Sequence, residues 1–319
     1  MTDGSSDMKQ SRRTDLTSLL DLEVLDVDFF RSTHARLPRG VIGVYGGQVV
    51  AQAIVAATHT LDRAFHIHSL HCYFVSIGLP ATPIYYHVDR IRDGRSYSAR
   101  AVRAAQNGKM FFIMLCSYQK PEPWQPTYRS PMPNVPAPEE CDTFQAYFRR
   151  RAEEETDAWT KHHYTGKAEF HDGIPIEVRR AAGGFQDGFY VLCMWVRAVY
   201  VPECDAAYQK AVLGYISDLL FLEAGGYAIG LRESNEEGAD VTGYCTTVDH
   251  SIWYYSDDFD CTQWIMFESR VPQAGSGRAI VHRRAFTRDG TLIANLSQEG
   301  VVRAKVYGPG EPSKVESKL

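Results

Sequence analysis

Residues 66–118 and 248–300 of this chain read as two copies of one design, and a repeat constrains a fold before any single motif does. His68-Ser69-Leu70 opens an apolar run in the first copy. His250-Ser251-Ile252 opens one in the second, 182 positions later. The turn pair Asn107-Gly108 meets its counterpart, Asp289-Gly290, at the same spacing of 182. Each copy is expected to be one folding unit, with a site where the two meet. The chain has 319 residues, 44% of them hydrophobic, which is enough for two ordinary cores.

The local patterns predict what each unit contains. Gly43-Val44-Tyr45-Gly46-Gly47 is a turn that leads into a stretch from Gln48 apolar or small on every side, which predicts a buried helix. Strands are expected near 67–75, 83–92, 96–106 and 110–119, joined by turns at Asp93-Gly94 and Asn107-Gly108. Leu16–Phe30 is apolar but fits helix and strand equally. The first unit thus covers 16–120. Residues 121–175 read as a linker, proline-rich to 142 and then charged and helical over 143–170. The second unit, 176–306, is expected to open with a strand near Leu192–Tyr200. A helix over Asp205–Glu223, a glycine-rich insertion at 224–242 and strands near 245–255, 263–271, 277–287 and 291–303 should follow. Residues 1–15 and 307–319 read as polar tails.

Charge and cysteine content narrow the class. The net charge of −5 offers no basic field for a nucleic-acid partner. Seven cysteines without a C-x-x-C read as free thiols in a reducing compartment. The start lacks a secretory signal, and no apolar run is long enough to span a bilayer. The chain ends in Ser317-Lys318-Leu319, which the peroxisomal import receptor reads as an address. His66, His68 and His71 are spaced so that two share a strand face and one does not, which suits structural histidines better than metal ligands. Arg90, Arg92, Arg95, Arg100 and Arg103 form a basic stretch that could meet phosphate groups, although a solvated face accounts better for most of them. No G-x-S-x-G, P-loop or dinucleotide fingerprint occurs.

Asp218 stands out chemically. It interrupts Tyr215-Ile-Ser-Asp-Leu-Leu-Phe-Leu, otherwise an apolar helix pattern. Either it faces solvent, or it is buried with a raised pKa and usable as a general base. Thr247 and Gln298 lie in the second copy, and the repeat carries them onto Phe65 and Cys116. Any site using these three groups would therefore occur once per chain.

The segments Gly46-Gly47-Gln48-Val49-Val50, His68 to Phe74, Asp93 to Ser98 and Gln106 to Lys109 resemble the first half of the type II acyl-CoA thioesterases. Tyr215 to Asp218, Val248 to Trp253 and Gln298 to Val301 resemble the second half, and the likeness runs from about Leu19 to Arg303. The resemblance implies an α+β double hotdog, two tandem units that are each a helix wrapped by an antiparallel sheet. It implies hydrolysis of fatty acyl-CoA in the peroxisome with no cofactor and no metal. The family's catalytic Asp, Ser-or-Thr and Gln fall on Asp218, Thr247 and Gln298.

The acid would take a proton from water while the hydroxyl and the amide fix its angle. Direct attack by Asp218 to form an anhydride is the alternative route. Gly46, Gly47 and Gln48, at a helix start, either offer N–H groups to substrate or only make a tight turn. A homo-oligomer is expected, through sheet edges or faces. Two rival functions remain at this stage. One is an enoyl-CoA hydratase using Asp249-His250, which adjacency on a strand disfavours. The other is a non-catalytic acyl-CoA binding or sensing protein.

Overall fold

The computed structural model describes residues 16–34, 43–156, 158–172, 174–199, 201, 204–231 and 242–304. The terminal tails and residues 232–241 of the insertion lie outside the described residues.

The first half runs α1 (Leu16–Leu20), β1 (Leu22–Asp26), β2 (Phe29–Ser32), α2 (Gly46–His59), β3 (His66–Phe74), β4 (Tyr85–Asp93), β5 (Tyr97–Gln106) and β6 (Lys109–Gln119). Between the halves come a 3-10 turn (Pro138–Glu140), α3 (Phe144–Glu154) and α4 (Ala158–Asp172). The second half runs β7 (Ile176–Gln186), β8 (Phe189–Ala198), α5 (Ala206–Ser217), α6 (Glu223–Ala228), β9 (Thr242–Tyr254), β10 (Ile265–Gly275), β11 (Arg278–Thr287) and β12 (Leu292–Ala304). All twelve strands form one antiparallel sheet in the order β1-β2-β4-β5-β6-β3-β9-β12-β11-β10-β8-β7. The order reads alike from either end, and this is the double hotdog.

The halves join where β3 pairs with β9. Leu70 lies opposite Ile252, the residue onto which the repeat carries it, so a pseudo-twofold axis passes through that pair. Both side chains are fully buried. Inside the sheet α2 and α5 lie side by side, with the start of one against the end of the other. Gly214 lets Ile54 approach, since a Cβ there would lie 2.8 Å from the Ile54 side chain. Lys210 of α5 donates to Ile67 O of β3 (2.8 Å) and pairs with Asp257, which also holds His66 (2.7 Å). These polar ties cross between the halves.

The outer faces of the two halves differ. In the second half the chain before α3 lies across the sheet. Trp195 Nε1 donates to Pro136 O (2.9 Å), Arg284 to Ser130 Oγ (2.6 Å), and Met132, Val135 and Cys141 pack with Trp264, Met266 and Phe286. In the first half the corresponding face carries Tyr73, Ile113, Leu115 and, from β9, Trp253, all exposed.

Two sequence expectations need correction, and two are refined. The second half opens with a hairpin, β7 and β8, rather than one strand near 192–200. β7 was hidden because it is an edge strand with Ala181-Ala182-Gly183-Gly184 in its middle and a bulge at Ala181. Residues 143–170 form two helices, α3 and α4, which meet through Phe148, Tyr164 and His171. The helix expected over 205–223 stops at Ser217. Leu220 takes a left-handed φ of 54° in the turn that follows, which an apolar pattern does not reveal. Finally, Arg100 is 1% exposed, the exception within the basic stretch.

Candidate active site

The site forms where α5 ends. Asp205 caps its start by accepting Tyr208 N–H (2.9 Å), and Asp218 is the residue at its C-cap. Ending the helix there turns the carboxylate toward the first turn of α2. Gly47 N–H donates to Asp218 Oδ2 at 2.9 Å, and Tyr45 O–H donates to Tyr215 O at 2.9 Å. The amino end of a helix favours negative charge, so α2 of one half seats the acid of the other.

Thr247 and Gln298 arrive from the paired strands β9 and β12. Gln298 lies opposite His250 and Gly300 opposite Thr247, so the register slips by one residue between them. Without the slip, Thr247 and His250 would point to opposite faces; with it, both point inward. Gln298 Nε2 donates to Asp218 Oδ1 (2.6 Å) and to Thr247 Oγ1 (2.8 Å), and Thr247 Oγ1 donates to Asp218 Oδ1 (3.3 Å). The amide orientation is dictated by chemistry, since its oxygen would repel the carboxylate. That leaves Gln298 Oε1 buried without a hydrogen-bond partner among the described residues.

Two effects compete on Asp218. Burial raises its pKa and is the larger; the donors Gln298, Gly47 and Thr247, and then the charge of Arg283, oppose it. The result is a carboxylate more basic than an exposed one and held by three donors.

The glycine turn makes contacts of its own with the second half. Gly47 N–H is spent on Asp218, and Gln48 N–H on Tyr45 O (3.1 Å). The Gln48 side chain is fully buried and donates to Leu19 O and His34 O, both 2.9 Å. The backbone N–H groups of Gly47 and Gln48 thus both have acceptors within the protein. What Gly46 and Gly47 supply is proximity. A Cβ on Gly46 would lie 2.9 Å from Asp218 Oδ2, and one on Gly47 would lie 2.4 Å from Tyr215 O.

Other residues singled out in the sequence fall elsewhere. His66, His68 and His71 bond separately to Asp257, Ser117 and Ser251. Arg90 pairs with Asp28 and Arg103 with Asp89. Burial holds the His250 pKa down at about 3, so the ring is neutral, while Asp249 accepts Glu299 N–H (3.3 Å). Tyr45 and Arg283 were not anticipated. Tyr45 has a visible cue in its place before the glycine pair; Arg283 has none.

Nearly the whole chain resembles known proteins. The acyl-CoA thioesterase N-terminal domain pattern matches residues 33–119, and the C-terminal domain pattern matches residues 134–302. Acyl-coenzyme A thioesterase 8 of Rattus norvegicus is 36% identical over 309 residues, covering 95% of this chain and 92% of that protein. Acyl-CoA thioesterase 2 of Haemophilus influenzae is 30% identical, covering 90% of this chain and 96% of its own length. Among solved structures, the acyl-CoA thioesterase II TesB2 of Mycobacterium marinum superposes with a TM-score of 0.69 at 27% identity, covering 90% of this chain and 97% of that one. With a repeat folded as two joined hotdogs and both domain patterns matched in order, the chain belongs to the acyl-CoA thioesterase family.

Proposed function

We propose that this chain hydrolyses fatty acyl-CoA thioesters to free acid and coenzyme A, with Asp218 as general base and Thr247 and Gln298 positioning the water. One observation carries the reading: two polar side chains and one backbone N–H, from three separate elements, converge on the half-buried carboxylate of Asp218. A thioester carbonyl is electrophilic enough for water to attack it once a base removes the water's proton. The positive end of α2, beside the carboxylate, favours the negative charge that develops. Thiol release from long-chain acyl-CoA tests the reading, and binding without thiol release would point to a carrier instead. A single turnover in isotopically labelled water separates the routes. Label in the product acid alone fits direct attack by water, and label in the Asp218 carboxylate fits an anhydride.

The same proposal places the protein in the peroxisome through Ser317-Lys318-Leu319. A protein matched over 92% of this chain at 25% identity is the peroxisomal acyl-coenzyme A thioester hydrolase 1 of Saccharomyces cerevisiae. Deleting the three residues is expected to leave a fluorescent fusion in the cytosol; peroxisomal puncta after deletion would exclude this address.

The proposal also includes a homo-oligomer. The second half covers its outer face with its own chain, whereas on the first half Leu115 is 52% and Tyr73 54% exposed. A second copy supplies the missing cover. Leu115→Arg is expected to lower the sedimenting mass of the full chain; an unchanged mass would remove this face as the contact.

A further inference from the structure

Each half ends its central helix against a buried arginine. Arg100 of β5 donates to Thr60 Oγ1 (2.7 Å) and Thr60 O (3.3 Å), and Thr60 is the C-cap of α2. Arg283 of β11 is also 1% exposed. It donates to Ser217 O (2.9 Å), Leu219 O (3.1 Å) and Leu220 O (3.1 Å), the carbonyls on either side of Asp218. Its Nε donates to Ser269 Oγ (2.8 Å), and its guanidinium stacks over Phe221 (4.0 Å) and Phe267 (5.0 Å).

The two arginines differ in counter-charge. Arg100 is neutralised by Asp93, at 2.5 Å. Among the described residues Arg283 has no carboxylate within ion-pair distance. It is held by carbonyl dipoles, one hydroxyl and two aromatic faces, so its field is not cancelled at contact. We propose that Arg283 is a positioning residue for the reaction: it clamps the turn that carries Asp218 and adds a buried positive charge near a carboxylate already held by three hydrogen-bond donors.

The surroundings of Asp218 support this. Tyr45 before α2, Cys72 of β3 and Cys245 of β9 lie within electrostatic reach of Asp218, Tyr215 of α5 adjoins Tyr45, and His250 of β9 adjoins Ser217. Burial keeps Tyr45 and Cys72 protonated and His250 neutral. Glu223 of α6 adds negative charge and acts on Arg283 through space. Burial lowers the Arg283 pKa to about 9, which still leaves it charged at neutral pH. Arg283 is the cation whose charge bears on Asp218 and lowers its pKa.

The test is the pH dependence of kcat for thiol release by the full chain. The inference rests on Asp218 being the base, so activity rises as pH passes upward through its pKa. Removing the nearby positive charge raises that pKa and moves the acid limb to higher pH. Arg283→Gln is expected to move the limb up by roughly one pH unit, which is about tenfold in rate within the limb. Ser269→Asp leaves the clamp in place and gives Arg283 the carboxylate partner that Arg100 already has. It is expected to move the limb in the same direction, and it decides the matter if Arg283→Gln does not fold. Arg100→Gln is the control, expected to lower thermal stability without moving the limb. A wild-type limb in a folded Ser269→Asp or Arg283→Gln enzyme would reduce Arg283 to a structural cap. The two readings fail separately. Undiminished activity of Asp218→Asn removes the base itself. An inactive Asp218→Asn with an unmoved limb in these variants removes only the role of Arg283.

Discussion

Asp218→Asn is expected to lower kcat for acyl-CoA hydrolysis by about 10³-fold, with substrate binding and fold retained. The substitution is nearly isosteric, so the loss isolates the proton-accepting function. Its effect on stability is the balance of two terms. A buried charge is removed, which stabilises. Against this, Oδ1 accepts from Gln298 and Thr247 while Oδ2 accepts from Gly47 N–H. An asparagine amide must place its NH2 against one of these donor groups, which costs about 1–3 kcal/mol. Thiol release and a thermal melt on the same preparation read both. Activity within tenfold of wild type would dismiss Asp218 as the base.

Gly47→Ala is the second large effect, and it arises from contact rather than charge. A Cβ there would lie 2.4 Å from Tyr215 O and 2.7 Å from the Tyr45 ring. The obstacle on one side is backbone, which cannot rotate away. The first turn of α2 must retreat, and the N–H bond to Asp218 lengthens with it. A loss of about 1–3 kcal/mol in stability is expected from overpacking. A further fall in kcat of roughly 10²-fold is expected because positioning tolerates little displacement. The thermal melt reads the first and thiol release the second. Full activity with unchanged stability would mean that the close approach is not needed.

What the sequence disclosed follows from what is periodic. The repeat spacing foretold the joined halves, and the all-apolar faces of α2 foretold its burial. The convergence of Asp218, Thr247 and Gln298 rested on resemblance, because contacts over such separations leave no local pattern. The helix end at Ser217 was missed for a physical reason. Its exposed carbonyls are satisfied by Arg283, so the turn stays buried and its residues stay greasy. Arg283 itself lies one residue off the repeat spacing from Arg100, a shift that strand bulges permit and pattern matching does not follow. The inward turn of Thr247 likewise depends on the register slip beside it.

The pairing of Leu70 with Ile252 has a consequence for how such a chain can change over time. Because the acid at the end of one helix is seated by the start of the other, a symmetric ancestor would have carried two shared centres, each needing both subunits. Fusion into one polypeptide would free either centre to change, provided the partner kept the glycine-lined seat. On the proposed reading of Asp218 as the base, the first half contributes the seat at Gly46 and Gly47 and the second the acid, so neither half on its own would assemble a complete centre.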